Sequence, residues 1–228
     1  LQPKRVLDAA SATFGSFSAP ARGVSSDYYD VIPVRRDRIY LVMGDVAGKG
    51  VPASLIMVMI RAILHLLVGA AKDTATILNW INRGITGKIE LDHFATLQIL
   101  VLDPTTGKCE YANAGHRPPI IWRKSTGIVQ HIDTKSVPIG VEKSNEYTAS
   151  TLTLEDGDIL LMYTDGVVEA VDPAGRQYGM TGLNAILEKH NDLSSKEIAN
   201  MVREDVHTFI GNARQHDDQT LLTVKVKL

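Results

Sequence analysis

Residues 38–68 read RIYLVMGDVAGKGVPASLIMVMIRAILHLLV: a strand-forming run, an acidic turn punctuated by glycine, and an apolar helix-forming run in immediate succession. The run Arg38–Asp45 is rich in Ile, Leu, Val and Tyr, which suit a pleated, buried surface. Gly44, Gly48 and Gly50 let the backbone turn sharply, and the fixed φ of Pro52 suits a first helical turn, so a helix is expected over Pro52–Val68. A strand, a glycine turn and a helix also describe a phosphate loop, but that loop needs four residues between its glycines and a Ser or Thr after the lysine. Here three residues separate Gly44 from Gly48, and Gly50 follows Lys49. The turn is better read as folding around an ion held by Asp45, with Lys49 at a solvated helix start.

Outward from this stretch, strand signatures recur at Tyr28–Val34, Ala95–Asp103, Lys108–Asn113, Pro119–Arg123, Thr148–Leu154, Asp158–Thr164 and Thr220–Val226. Turn formers at Arg35-Arg36-Asp37, Pro104-Thr105-Thr106-Gly107 and Glu155-Asp156-Gly157 each fit a hairpin connection, so antiparallel pairing is expected. A second helix is expected at Thr74–Lys88, after a Gly-Ala-Ala-Lys-Asp break. A later pair is expected at Thr181–Lys189 and Ser194–Phe209, where Ser194 or Ser195 can cap and Glu197 can complete a capping box. Helices thus come in pairs between groups of strands. The fold class this predicts is α+β, a sandwich with antiparallel sheets inside and helix pairs outside, rather than a βαβ parallel sheet.

A length of 228 residues suits a single domain over residues 1–228. With 24 Lys and Arg against 26 Asp and Glu, the net charge of −2 provides no basic field for a polyanion, which disfavours nucleic acid as a partner. Cys109 is the sole cysteine, which excludes an internal disulfide framework and a cysteine-rich zinc site and fits a reducing compartment. The most apolar stretch, Leu55–Val68, is shorter than the roughly 20 residues of a spanning helix and is interrupted by Arg61 and His65, so no membrane contact is expected of this domain. No secretory signal opens the chain, and its start at Leu1 rather than at a methionine suggests a piece of a longer protein. The helix Pro52–Val68 is apolar on nearly every face, so something further should cover it: the helix Thr74–Lys88, a second copy in a homodimer, or an upstream segment.

The notable acids stand at strand ends beside glycine or another acid: Asp27 and Asp30 in Ser-Ser-Asp-Tyr-Tyr-Asp, Asp45, Asp165 in Tyr-Thr-Asp-Gly, and Asp217-Asp218. Each alone can be a turn former. Together, a sandwich can bring several of them to one rim, where their mutual repulsion is relieved by a divalent cation. Carboxylates and carbonyls without clustered His or Cys select a hard ion, Mg²⁺ or Mn²⁺. His65 lies within an apolar helix and reads as a packed core or interface residue; among the seven histidines only His116 is placed suggestively.

Five ordered motifs carry a resemblance: Arg22-Gly-Val-Ser-Ser-Asp27-Tyr-Tyr-Asp30; Gly44-Asp45-Val46-Ala-Gly-Lys-Gly50-Val-Pro-Ala53; Asn113-Ala-Gly-His116-Arg-Pro-Pro119; Leu160-Leu-Met-Tyr-Thr-Asp165-Gly-Val-Val-Glu-Ala170; and Asp217-Asp218-Gln-Thr220. In this order they resemble the bacterial SpoIIE/RsbU-type serine phosphatases of the metal-dependent, type 2C-like superfamily. The resemblance spans nearly the whole chain and implies an αββα sandwich. It further implies two divalent cations, Mn²⁺ or Mg²⁺, bridged by Asp45. Asp165 and Asp217 would complete the second ion's shell, and Asp27, through water, and the carbonyl of Val46 would serve the first. Asp45 and Asp165 are accordingly the catalytic candidates. Arg22 matches the spacing of a phosphate-binding arginine, whereas Asp218 matches a position outside the shell, and Asp30 and His116 rank below the others.

Two departures stand out. Ser25-Ser26 replaces a more usual Gly-Gly, and Ala47 stands where eukaryotic relatives have a histidine proposed as the leaving-group acid, so the proton donor is unassigned. The implied substrate is a phosphoserine or phosphothreonine on a small anti-sigma-factor antagonist domain in a partner-switching pathway of the bacterial cytoplasm, with an upstream sensor or receiver domain as regulator. Two cations about 4 Å apart activate a bridging water without a covalent phosphoenzyme, so Cys109, lacking a Cys-x5-Arg loop, need only pack. Two other classes fit the acids less well: a catalytically weak phosphatase-like module that regulates a partner by binding, and a metal-dependent nuclease, which the charge disfavours.

Overall fold

The computed structural model describes residues 11–35, 37–48, 50–70, 73–88, 94–132 and 134–228. Arg36 of the first expected turn, Lys49, and Ala71 and Lys72 of the expected helix break lie outside these residues. The strands are β1 (Ala12–Ala19), β2 (Asp27–Arg35), β3 (Arg38–Val46), β4 (Ala95–Leu102), β5 (Lys108–Ala114), β6 (Ile120–Arg123), β7 (Ile128–His131), β8 (Ser150–Thr153), β9 (Ile159–Tyr163) and β10 (Gln219–Val226). The helices are α1 (Val51–Gly69), α2 (Thr74–Ile85), α3 (Asp165–Val168), α4 (Gly179–Lys189) and α5 (Ser195–Ile210).

Two five-stranded sheets form, one in the order β1-β10-β9-β6-β7 and the other β2-β3-β4-β5-β8. Every pairing within them is antiparallel. Alternation along the strands sends one face of each sheet inward, where Phe14, Leu41, Met43, Leu100, Tyr111, Leu160, Met162 and Val224 build the layer between the sheets. The outer face of the second sheet buries Tyr28, Tyr40, Val42 and Ile99 under α1 and α2. The outer face of the first buries Ile120, Leu161, Tyr163 and Leu221 under α4 and α5. The layers are therefore α, β, β, α, as the resemblance implies.

Local chemistry explains the helix bounds. Pro52 lies in the first turn of α1, whose buried stripe Ala53, Met57, Ile60, Leu64 and Val68 recurs every three or four residues. The Asp73 carboxylate accepts from Thr76 N–H at 2.7 Å to cap α2, and Ser194 with Glu197 forms the expected capping box on α5. The packing of α2 leaves Val51, Leu55, Val58, Met59 and Leu66 of α1 exposed. At 19 residues α1 is apolar and long enough to cross a membrane by length and composition alone, longer than the stretch marked in the sequence.

Three expectations are corrected. The Glu155–Gly157 turn is no hairpin, because β8 before it belongs to one sheet and β9 after it to the other. Strands β1 and β7 were not expected. In β1, Gly15, Ser16 and Ser18 dilute the β-forming signal, and Gly15 is there because a β-carbon would sit 2.0 Å from the Ser195 carbonyl oxygen where α5 crosses. Of the two settings expected for His65, the core is excluded: its side chain is 38% exposed and its Nε2 pairs with the Asp30 carboxylate at 2.9 Å.

Candidate active site

The two sheets present their strand ends at one rim, and the strand register gathers the acids there. Asp27 at the start of β2 lies directly opposite Asp45 near the end of β3, and Thr96 of β4 is opposite Asp45 on the other side. Asp27 and Asp45 share parity with Tyr29 and Met43, so they face the space between the sheets. From the other sheet, β9 ends at Tyr163 and delivers Thr164 and Asp165, while Asp217 and Asp218 immediately precede β10. The Thr164 hydroxyl donates to Asp27 at 2.8 Å and its oxygen accepts from Thr220 N–H at 3.0 Å, which joins the sheets at the rim.

Like charges crowd this rim. Burial, followed by repulsion from Asp27, Asp165, Asp217 and Asp218, pushes the Asp45 carboxyl far above the ordinary range. Asp27 is raised chiefly by burial, with Asp218 and Asp165 adding to it and hydrogen bonds from Thr220 and Thr164 opposing it. Asp165 is raised by burial, Glu169 and Asp217, with Arg117 opposing. Among the described residues no group of three or more acidic, histidine or cysteine side chains is drawn tightly enough to hold an ion as placed. The donor chemistry nevertheless fits a hard divalent ion: all-oxygen, acidic, partly buried, and held apart by repulsion that a cation would offset. Val46 closes β3 beside Asp45, with its side chain buried in the core, so its carbonyl belongs to the same rim.

Asp218 has a different task. Its carboxylate accepts from Ala21 N–H at 2.7 Å, Ser26 N–H at 2.8 Å, and the hydroxyls of Ser25 at 2.9 Å and Ser26 at 3.2 Å. It thereby fixes the loop that leads into Asp27, and the Ser25-Ser26 departure supplies two of its donors. Gly166 makes this approach possible, since a β-carbon there would lie 1.9 Å from the Asp218 carbonyl oxygen. Arg22 is exposed on the same loop.

Asp30 is not at the rim. Three residues from Asp27, it faces the opposite side of β2, where it accepts from the Tyr28 hydroxyl at 2.8 Å and meets His65 of α1. His116 lies near the acids, but both its ring nitrogens have partners: the Thr96 hydroxyl at 2.8 Å from Nδ1 and the Tyr163 carbonyl at 3.2 Å from Nε2. Burial drives its pKa down to about 4, so the ring is neutral, donating from Nε2 and accepting at Nδ1. It ties the β5–β6 connection to the end of β9. Cys109 is buried, its thiol pushed up to about 12 by that burial, which suits packing and not nucleophilic attack.

A cavity of about 340 Å³ opens at the rim, lined by Asp45 and Asp165 together with Thr96, His116, Arg117 and the neighbouring Gly115 and Pro118. Arg117, which the sequence did not single out, lines the cavity and pairs with the Glu169 carboxylate. Its position directly after His116 in a motif already marked was the available signal.

The chain matches the family of Stage II sporulation protein E (SpoIIE) over residues 35–227. It belongs to the SpoIIE family. Protein IcfG of Synechocystis sp. is 29% identical over 232 residues, covering 90% of this chain and 36% of that protein. Phosphoserine phosphatase RsbU of Bacillus subtilis is 26% identical over 214 residues, covering 94% of this chain and 63% of RsbU. The chain thus spans less than two thirds of either relative. Among solved structures, the PP2C phosphatase domain with a fragment of the regulatory domain of SpoIIE from Bacillus subtilis aligns with a TM-score of 0.82 at 21% identity, covering 96% of this chain and 64% of that one. RsbX in complex with magnesium aligns at 0.75 and 17% identity, covering 98% of this chain and 99% of that one. These two likenesses establish the PP2C-like fold.

Proposed function

We propose that this SpoIIE-family chain is a metal-dependent protein phosphatase domain that hydrolyses a phosphoserine or phosphothreonine on a regulatory protein. The observation that carries this is the meeting of Asp27 and Asp45 from one sheet with Asp165 and Asp217 from the other beside an open cavity. The naming of RsbU as a phosphoserine phosphatase supports it, as does the complex of RsbX with magnesium.

In this scheme Asp45, Asp165 and Asp217 would hold one divalent ion, and Asp45, Asp27 and the Val46 carbonyl would serve the other. When bound, two divalent cations supply an activated water and offset charge on the phosphoryl group. The chain's own part is positional. Thr164 and Thr220 fix one face of Asp27, Asp218 fixes the approach to it, and His116 holds Thr96 and the Tyr163–Asp165 segment in place through both ring nitrogens. The substrate class that fits the family resemblance is a small anti-sigma-factor antagonist domain in a cytoplasmic partner-switching pathway, with an upstream sensor or receiver domain controlling activity.

Hydrolysis of para-nitrophenyl phosphate with added Mn²⁺ or Mg²⁺, abolished by chelator, is the expected result. Asp45→Asn and Asp165→Asn should each remove nearly all of it, because an amide lacks the charge that holds two cations together. Wild-type turnover in either variant at saturating metal would refute the assignment, and a folded wild type without turnover would favour a regulatory binding module.

A further inference from the structure

Resting on the phosphatase assignment, a second question is how the substrate's phosphoryl group is seized. Of the described residues lining the rim cavity, Arg117 alone carries a fixed positive charge. Its backbone is held from several sides. Gln98, fully buried, donates from its side-chain amide to the Arg117 carbonyl at 3.2 Å. The Asn113 side chain donates to the His116 carbonyl and accepts from the His116 N–H, each at 2.8 Å. Gly115, at φ 70°, lies so close to Pro138 that a β-carbon would overlap it, and Pro118 and Pro119 follow. A stiff loop therefore presents a long, adaptable guanidinium at the mouth.

The guanidinium is paired with the Glu169 carboxylate, and both side chains are about half exposed, 45% and 47%. An ion pair this wet contributes little, so a better anion can displace the carboxylate. A phosphoryl group is such an anion, because the planar guanidinium fork can donate two parallel N–H bonds to its oxygens while keeping its charge at any working pH. Arg22, to which the resemblance gives this task, is exposed on the loop before Asp27 and does not line the cavity.

We propose that Arg117 is the phosphate-binding residue of this cleft, parked on Glu169 at rest and exchanging it for the phosphoryl oxygens of the substrate. Glu169 is then a competitor for Arg117, and the two residues should have opposite mutational effects on phosphate affinity. A latch that merely fastens the loop to α3 would give both substitutions the same sign.

The test uses the whole chain loaded with magnesium, para-nitrophenyl phosphate as substrate, and inorganic phosphate as inhibitor and calorimetric ligand. Arg117→Ala should raise KM and weaken phosphate binding about tenfold or more, the loss of one charge-assisted fork, with an unchanged melting curve. Arg117→Lys should fall between, keeping charge without the fork. Glu169→Gln should lower both quantities about two- to fivefold. The proposal is overturned if Arg117→Ala leaves KM and phosphate affinity within about twofold of wild type, or if Glu169→Gln shifts them in the same direction as Arg117→Ala. Calorimetry separates the two levels. Phosphate binding lost in Arg117→Ala, in a chain that never turns over, upholds Arg117 and sinks the phosphatase assignment; active wild type with an indifferent Arg117→Ala does the reverse.

Discussion

Replacing Asp45 by Asn should stabilise the metal-free protein while destroying its activity. Asp45 and Asp27 are direct partners across the β2–β3 ladder, where opposed side chains stand about 5 Å apart. At an effective dielectric constant near 20, two unit charges at that distance repel by about 3 kcal/mol. Retention of a proton by the raised Asp45 carboxyl already relieves part of this, so a gain of about 1–2 kcal/mol is expected, or about 2–8 °C in melting temperature for a domain of this size. The sign with pH follows from the direction of the shift. A carboxyl raised in the folded state keeps a proton that the unfolded chain releases, so its contribution is present at low pH and is lost as pH rises. The advantage of the Asn variant should therefore be large at pH 8 and shrink toward pH 5. Thermal melts of both proteins in chelator across that range measure it. A variant less stable than wild type, or an advantage independent of pH, would show that like-charge repulsion at the rim is not what Asp45 experiences.

Other outcomes follow from the same geometry. His116→Ala should cost about 2–4 kcal/mol by leaving Thr96 and the Tyr163 carbonyl without their shared partner, read by chemical denaturation. Because the folded His116 pKa lies below its unfolded value, its contribution is present above about pH 6.5 and is lost as pH falls below it, so the cost of the substitution should shrink in acid. Gly166→Ala should unfold the rim or sharply lower metal affinity, since its new methyl collides with the Asp218 carbonyl; calorimetric titration with Mn²⁺ checks this. Catalytic efficiency should be higher on a folded phosphoprotein than on a short phosphopeptide, because a metal centre recognises phosphate and little else; equal efficiency on both would count against a docking surface.

Much of the fold is readable from strand-rich runs separated by turn residues, and the helix pairs from apolar periodicity with their caps. What escapes is instructive. The run Ala12–Ala19 hides because its glycine and serines serve a close approach by α5, a tertiary demand that lowers local β character. A turn sequence such as Glu155–Gly157 announces a reversal but not which sheet receives the next strand. At the site, strand-end acids were visible, and the parity of Asp27 and Asp30 could have separated them, since residues three apart in a strand face opposite sides. The stretch Val167–Met180, which follows Asp165 and is rich in Gly, Pro and charge, reads from sequence as a docking loop, yet it is partly buried: Val167, Val168 and Tyr178 are in the core and Asp172 accepts from Ala174 N–H and Arg176 N–H, leaving residues 173–177 exposed. The Arg117–Glu169 pair could not be read from sequence, because 52 residues separate its partners.

The place of β10 in the first sheet, between β1 and β9, also governs when the molecule can begin to work during its own synthesis. Emerging from a ribosome, β1, β9 and every helix precede it, yet β1 and β9 cannot join until it arrives. The Thr164–Asp27 and Ser26–Asp218 bonds span 137 and 192 residues, among the most expensive closures for a growing chain. A nascent polypeptide halted before Gln219 should hold an incomplete sandwich and no gathered acids, so any hydrolytic capacity would arrive at a single step, once β10 has been made.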